Sequence, residues 1–257
     1  MTQVRHKQLY VETTGSDGPT VVAVHGLGGT TNFWEPVTAD LATAYRVVRY
    51  DFDGHGRSPL TGPVSVTELA EDLAAVIEQT GGPAHVLGHS MGTLVVQQLA
   101  ATRPELVTSI ALLGPVRAQP DAAKEATRAR AATVRAHGMA AVADTIVGAA
   151  TSPAAREKHP AVGALVRELL LGQDAEAYAQ ACEALAAAES PDLGAITCPV
   201  LLLTGTDDKV SPPATSEAMA AELKDATTAV TSDCGHWTAV EAPAFVTHQL
   251  RAFLNQA

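Results

Sequence analysis

One serine in this chain stands where a hydroxyl can act as a nucleophile. In "GHSMG", residues 88–92, Ser90 lies between a branched apolar run, "HVL", and a helix-like run, "TLVV". A chain that passes from buried strand into helix within one residue must turn sharply, and side chains two positions to either side of the turn would collide. Gly88 and Gly92 remove them. The hydroxyl is then held out of the turn at the carboxyl edge of the sheet, where open α/β sheets bind their ligands. Serine is a weak nucleophile unless a base takes its proton and an acid orients that base. Downstream the chain offers Asp207 and Asp208 in "TDDKVSPP", then His236 in "DCGHWTAVEAP". Either carboxylate could orient the imidazole. The order Ser, Asp, His is the one expected for a nucleophile on a strand-to-helix turn, and the chemistry implied is acyl transfer.

Such a reaction also needs backbone N–H groups for its oxyanion. Met91, the residue after the serine, supplies one. Leu27, in the loop "HGLGG" after an early apolar run, supplies the other, its glycines letting the backbone approach a substrate. Other polar residues have structural readings: Ser58 and Ser211 beside turn residues, His55 shaping a turn in "DGHGRS", His89 packing beside the elbow, and His25 positioning the loop that follows it. No His, Asp and Cys cluster has metal-ligand spacing, and "HGLGG" lacks the spacing of a nucleotide fingerprint, so neither metal nor cofactor is expected.

The elements that must position these groups are legible as alternating runs. "KQLYVETT", "TVVAVHG", "RVVRYD", "AHVLGHS", "VTSIALLG", "PVLLLTG" and "TTAVTS" read as strands, several of them apolar throughout, as in a parallel sheet covered on both faces. "VTELAEDLAAVIEQTGG", with Thr67 near its start and Gly81 beyond its end, and "APAFVTHQLRAFL" read as helices between or after them. The pattern predicts a mostly parallel, doubly wound α/β sheet. From 116 to 190 no strand is apparent. "AAKEATRARAATVRAHGMAAVADTIVGAA" and "DAEAYAQACEALAAAE" read as helices, with breaks at Gly138, Pro153 and Pro160. Val134, Met139, Val142, Ile146 and Val147 recur at helical spacing, so one face should be buried. A helical cap over 116–190, inserted in a core formed by 1–115 and 191–257, is the expected organisation.

The 257 residues carry 17 Lys plus Arg against 28 Asp plus Glu, a net charge of −11, without a basic run. That balance argues against nucleic acid and anionic membranes as partners. Cys182, Cys198 and Cys234 are scattered and odd in number, which fits a reducing compartment without disulfides. The first fifteen residues show no secretory apolar segment, and no apolar run approaches the roughly 18 residues of a membrane span. A soluble, cytoplasmic protein is expected.

Together, "HGLGG", "YDFDGHGRS", "GHSMG", "GTDDKVSPP" and "CGHWTAVEAP" resemble the α/β-hydrolase superfamily over essentially the whole chain. The resemblance implies an α/β-hydrolase fold, Ser90 as nucleophile, His236 as base, and Leu27 with Met91 as oxyanion donors. It also implies Asp208 as the acid, since that family places it three positions after the glycine that ends the strand, here Gly205. "RVVRYDFDGHGRS", the "FW" after the oxyanion loop, "HGMAAVADTIV" and "YAQACEALA" are similar to 3-oxoadipate enol-lactonases, although Thr93 stands where that group usually has a second glycine. A small-molecule ester or lactone is the substrate so implied. A C–C hydrolase or perhydrolase with the same triad, or a ligand receptor on this fold, is the alternative. Phe33, Trp34 and Met139 are expected to form the apolar substrate pocket. Among the cap arginines Arg128, Arg130, Arg135, Arg156 and Arg167, Arg135 is the candidate partner for an acidic substrate.

Overall fold

The computed structural model describes residues 1–15 and 18–257. Its strands are β1 (Thr2–Val4), β2 (Lys7–Leu9), β3 (Val11–Thr14), β4 (Thr20–Val24), β5 (Arg46–Tyr50), β6 (Ala84–His89), β7 (Val107–Leu113), β8 (Val200–Gly205) and β9 (Ala226–Thr231). Around them run α1 (Glu35–Leu41), α2 (Val66–Thr80), α3 (Met91–Thr102), α4 (Asp121–His137), α5 (Ala143–Ala150), α6 (Pro153–Lys158), α7 (Pro160–Leu171), α8 (Ala175–Ala187), α9 (Pro213–Glu222), α10 (Thr238–Glu241) and α11 (Pro243–Leu254).

Among the described residues the main sheet has seven strands in the order β3-β5-β4-β6-β7-β8-β9. All neighbours pair in parallel except β3 on β5. The run read as one strand from Lys7 to Thr14 is divided at Tyr10. Lys7–Leu9 pairs with Thr2–Val4 in a separate ribbon, and Val11–Thr14 joins the main sheet. The Tyr10 N–H is given to the Ser58 hydroxyl at 2.9 Å, which interrupts the strand.

Alternation along each strand sends its side chains to two different cores. Val22, Val24, Ile110 and Leu112 pack with α2 and α3, while Val21, Ala23, Ala111 and Leu113 pack with α1 and α11. Burial on both faces is why these strands read as unbroken apolar runs. α2 begins at Val66, where the run read as a helix begins, because the Ser65 side chain caps it by accepting from the Glu68 N–H at 3.1 Å.

The sheet winds both ways from its centre. After β4 the chain moves to β5 on one side, then returns to β6 on the other. The loops after β4 and β6 therefore diverge at a topological switch point, which opens a crevice at the carboxyl ends of the strands. "HGLGG" and Ser90 occupy those two loops.

Between β7 and β8 lie α4 to α8, a helical cap without strands among the described residues. α4 ends at Gly138, and Pro153 and Pro160 each open a helix, where proline's missing N–H costs nothing. α7 occupies a stretch in which the sequence signals only the break at its start. Val162, Val166, Leu169 and Leu170 form its buried face.

Candidate active site

Ser90 joins β6 directly to α3 with φ +50° and ψ −122°, a conformation an L-residue adopts only under constraint and at roughly 1–3 kcal/mol. The constraint is visible on both sides. Its N–H donates to the Leu113 carbonyl at 3.0 Å, and its own carbonyl accepts from the Thr93 N–H at 2.8 Å and the Thr93 hydroxyl at 2.6 Å. A Cβ on Gly88 would stand 3.0 Å from the Gly92 carbonyl oxygen, and one on Gly92 would be driven into the His25 carbonyl. Thr93, where the enol-lactonases usually carry glycine, also accepts the Val116 N–H at 3.0 Å and so ties the elbow to the start of the cap segment.

His236 and Asp208 are buried together, with Nδ1 and Oδ2 2.8 Å apart. The other carboxylate oxygen accepts the N–H groups of Val210 (2.9 Å) and Ser211 (2.8 Å). A carboxylate oxygen so placed accepts, which makes Nδ1 the donor of this bond. Nε2 is buried without a hydrogen-bond partner, and His236 and Ser90 line the same cavity. No hydrogen bond joins the Ser90 hydroxyl to the imidazole among the described residues; apo sites are commonly loose here and tighten around substrate.

Asp207 turns away from this pair. Its Oδ2 accepts from the Ser152 hydroxyl at 2.6 Å, in the cap. Glu241, which sequence reasoning missed, holds the histidine loop instead. Its carboxylate accepts the N–H groups of Gly235 (2.8 Å) and Trp237 (2.9 Å), on either side of His236, and of Ser152 (2.7 Å). Burial pushes its pKa up, and the three N–H donors oppose that shift. The signal was the spacing from His236 to the acid that opens "EAP".

The Leu27 loop and Met91 flank Ser90. Met91 is the first residue of α3, where helical N–H groups have no intrahelical acceptor. Leu27 is half-buried and lines the cavity. From the cap, Gln173 Nε2 reaches the carbonyls of Gly28 (3.3 Å) and Gly29 (3.4 Å). From below, His25 accepts the Phe52 N–H at Nε2 (3.0 Å) while Nδ1 bonds the Gly26 carbonyl (2.8 Å). His25 is buried, and desolvation holds its pKa down to about 4. His89 stacks on Phe33 at 3.9 Å and bonds the His236 carbonyl through Nε2 at 2.9 Å. The hydroxyls of Ser58 and Ser211 go to the carbonyls of Asp51 and Pro115.

The cavity measures about 280 Å³ and lies between sheet edge and cap. Its walls differ from the expected ones. Phe33, Trp34 and Met139 do not line it; all three are buried in a hydrophobic cluster shared by sheet and cap, with Phe33 stacked on His89 and set edge-on to Trp34. Aromatic and thioether side chains that can bury completely do so unless a polar tip holds them at a surface. Tyr178, Ile146, Leu185 and Trp237 supply the apolar wall, and Thr127, Gln119 and Arg130 the polar one. Arg135 is also elsewhere. It sits exposed on the cap, paired with Glu176 (2.8 Å) and Glu183 (2.5 Å). Arg130 stands in its place at the cavity. The signal was spacing: Ala123, Ala126, Thr127 and Arg130 mark one stripe of α4, and Arg135 falls off it.

Residues 19–243 match the family described as alpha/beta hydrolase fold, and the chain belongs to that family. It is 30% identical over 244 residues to 3-oxoadipate enol-lactonase 2 of Acinetobacter baylyi, covering 94% of this chain and 90% of that one. The malate-bound structure of a thermophilic esterase from Thermogutta terrifontis superposes with a TM-score of 0.92 at 30% identity, covering 96% of this chain and 93% of that one. The enol-lactonase of Burkholderia xenovorans LB400 gives a TM-score of 0.92 at 29% identity over 98% of both chains. Homology of this strength supports a hydrolase of the esterase and lactonase kind.

Proposed function

We propose that this protein is a serine hydrolase that cleaves a small carboxylic ester or lactone through an acyl-enzyme. Ser90 is the nucleophile, His236 the general base, Asp208 the group that orients it, and the N–H groups of Leu27 and Met91 the oxyanion donors. Residues 116–190 act as the cap over a core of 1–115 and 191–257. In the first step His236 Nε2 takes the Ser90 proton as Oγ adds to the substrate carbonyl, and the oxyanion collects against the two N–H groups. Collapse breaks the carbonyl–alkoxide bond, and the imidazolium returns its proton to the departing oxygen. For a lactone that alcohol stays on the acyl chain. Water then repeats the cycle and releases the carboxylic acid.

The observation that carries this reading is one cavity lined by both Ser90 and His236, whose Nε2 has no hydrogen-bond partner and whose Nδ1 is bonded to Asp208. The named enol-lactonase and esterase relatives support the substrate class. All three cysteines are free, which supports a cytoplasmic setting; no helix among the described residues is long and apolar enough to cross a membrane.

Ser90→Ala tests the reading. The expected loss in kcat toward short esters is on the order of 10⁶, as in comparable triads. A sulfonyl fluoride should label Ser90 and no other serine by peptide mass spectrometry. Near-normal turnover in a folded Ser90→Ala protein would refute the assignment.

A further inference from the structure

The cavity beside Ser90 is lined by one permanent charge, and among the described residues no carboxylate answers it. Arg130 lines the cavity from α4, and no Asp or Glu lies among the described lining residues. Its Nε is buried without a hydrogen-bond partner, and among the described residues it enters no ion pair. Scarcity of acids does not explain this, because the chain has 28 carboxylate side chains against 17 Lys plus Arg. Elsewhere those carboxylates are used: Arg49, Arg57, Arg135 and Arg251 each pair with at least one. Arg156, another cap arginine, is satisfied by the Val147 and Thr151 carbonyls. The groups packed beside Arg130 are the Tyr178 hydroxyl and the Cys182 thiol, and burial raises the pKa of both, so neither supplies a negative charge at neutral pH.

A half-buried guanidinium without a counter-charge is unfavourable, and a matched anion in the cavity removes that cost. Its planar fork fits a carboxylate through two parallel hydrogen bonds. Gln119, on the same wall, also has its side-chain oxygen buried and unpartnered, and a rotation of the amide would present a second donor beside the guanidinium.

We propose that Arg130 determines specificity by binding a free carboxylate on the substrate, so that the site takes short monoesters or lactones carrying a second, ionised acid group. This rests on the Ser90–His236 reading above and adds to it the residue and the charge. The apolar remainder of a cavity of about 280 Å³ fits a chain of a few methylenes between the two ends.

The test compares monomethyl glutarate with methyl pentanoate, which lacks the carboxylate at similar length, by pH-stat titration of the acid released. The wild-type protein should favour the glutarate ester in kcat/KM by about 100-fold, and Arg130→Gln should bring that ratio to near one, chiefly through KM. Arg130→Lys keeps the charge and loses the fork, so it should retain part of the preference; it also serves if the Gln variant does not fold. A wild-type ratio at or below one, or a ratio that survives Arg130→Gln, overturns the proposal while leaving the hydrolase intact. Calorimetric titration of glutarate into Ser90→Ala reads the same contact without turnover. If the wild type is inert on both esters yet glutarate binding depends on Arg130, the hydrolase reading falls and the carboxylate site stands.

Discussion

Asp207 and Asp208 are adjacent in sequence and separate in purpose. Asp208 accepts the His236 Nδ1 proton and two backbone N–H groups, while Asp207 accepts a hydroxyl from the cap. Asp208→Asn would place an amide where a pure acceptor is needed and leave the imidazole in the wrong tautomer. The expected loss is roughly 10⁴ in kcat with the fold retained. Asp207→Asn keeps an acceptor oxygen for Ser152 and should cost less than about tenfold. Steady-state kinetics on both variants with one ester decide the matter, and the reverse ranking would shift the catalytic acid by one residue.

At the scale of elements, the cap is fastened to the loops that carry His236 and Leu27. The His236 N–H donates to the Ala150 carbonyl at the end of α5, Ser152 before α6 bonds Glu241, and Gln173 after α7 bonds the Gly28 and Gly29 carbonyls. Cap position and histidine position are therefore coupled through Glu241. Glu241→Gln leaves at least one of three buried N–H donors facing an amide NH₂, which costs about 1–3 kcal/mol. Displacement of His236 should then lower kcat on the order of 10²-fold while KM moves less. Urea denaturation and Michaelis–Menten curves on the same preparation separate the two effects; an unchanged kcat at reduced stability would mean that Glu241 only holds the fold.

At the scale of the whole molecule, three histidines, His25, His55 and His89, are buried where desolvation disfavours their charged form. Desolvation holds the pKa of His25 down to about 4 and that of His55 down to about 3, and it lowers that of His89. In the unfolded chain each titrates near 6.5. Between the two values the unfolded state binds more protons, so stability rises with pH there. The contribution is complete above about pH 6.5 and is lost as pH falls toward 4 and then 3. His25 by itself withdraws on the order of 3 kcal/mol across that window. Urea midpoints should fall steadily from pH 7 to pH 4.5, and a flat profile would contradict neutral burial.

The sequence by itself determined the strands of the main sheet and their order along the chain. Apolar strands and capped helices are written in nearest-neighbour patterns that need no distant partner. The glycine-flanked turn at Ser90 is legible as a local pattern, although part of its constraint comes from Leu113 and His25, far along the chain. Strand ends bring the "HGLGG" loop, Ser90, Asp208 and His236 to one edge because a parallel sheet sends all its carboxyl ends the same way. Tertiary structure decided what faces the cavity. Phe33, Trp34 and Met139 could be named as apolar, but only packing shows that they are consumed by the core. Arg130 and Arg135 are less than two turns apart on one helix, and the choice between them rests on how α4 rolls against α8. That roll is set by long-range contacts, such as Arg135 with Glu176 and Glu183 on α8, which no local pattern encodes.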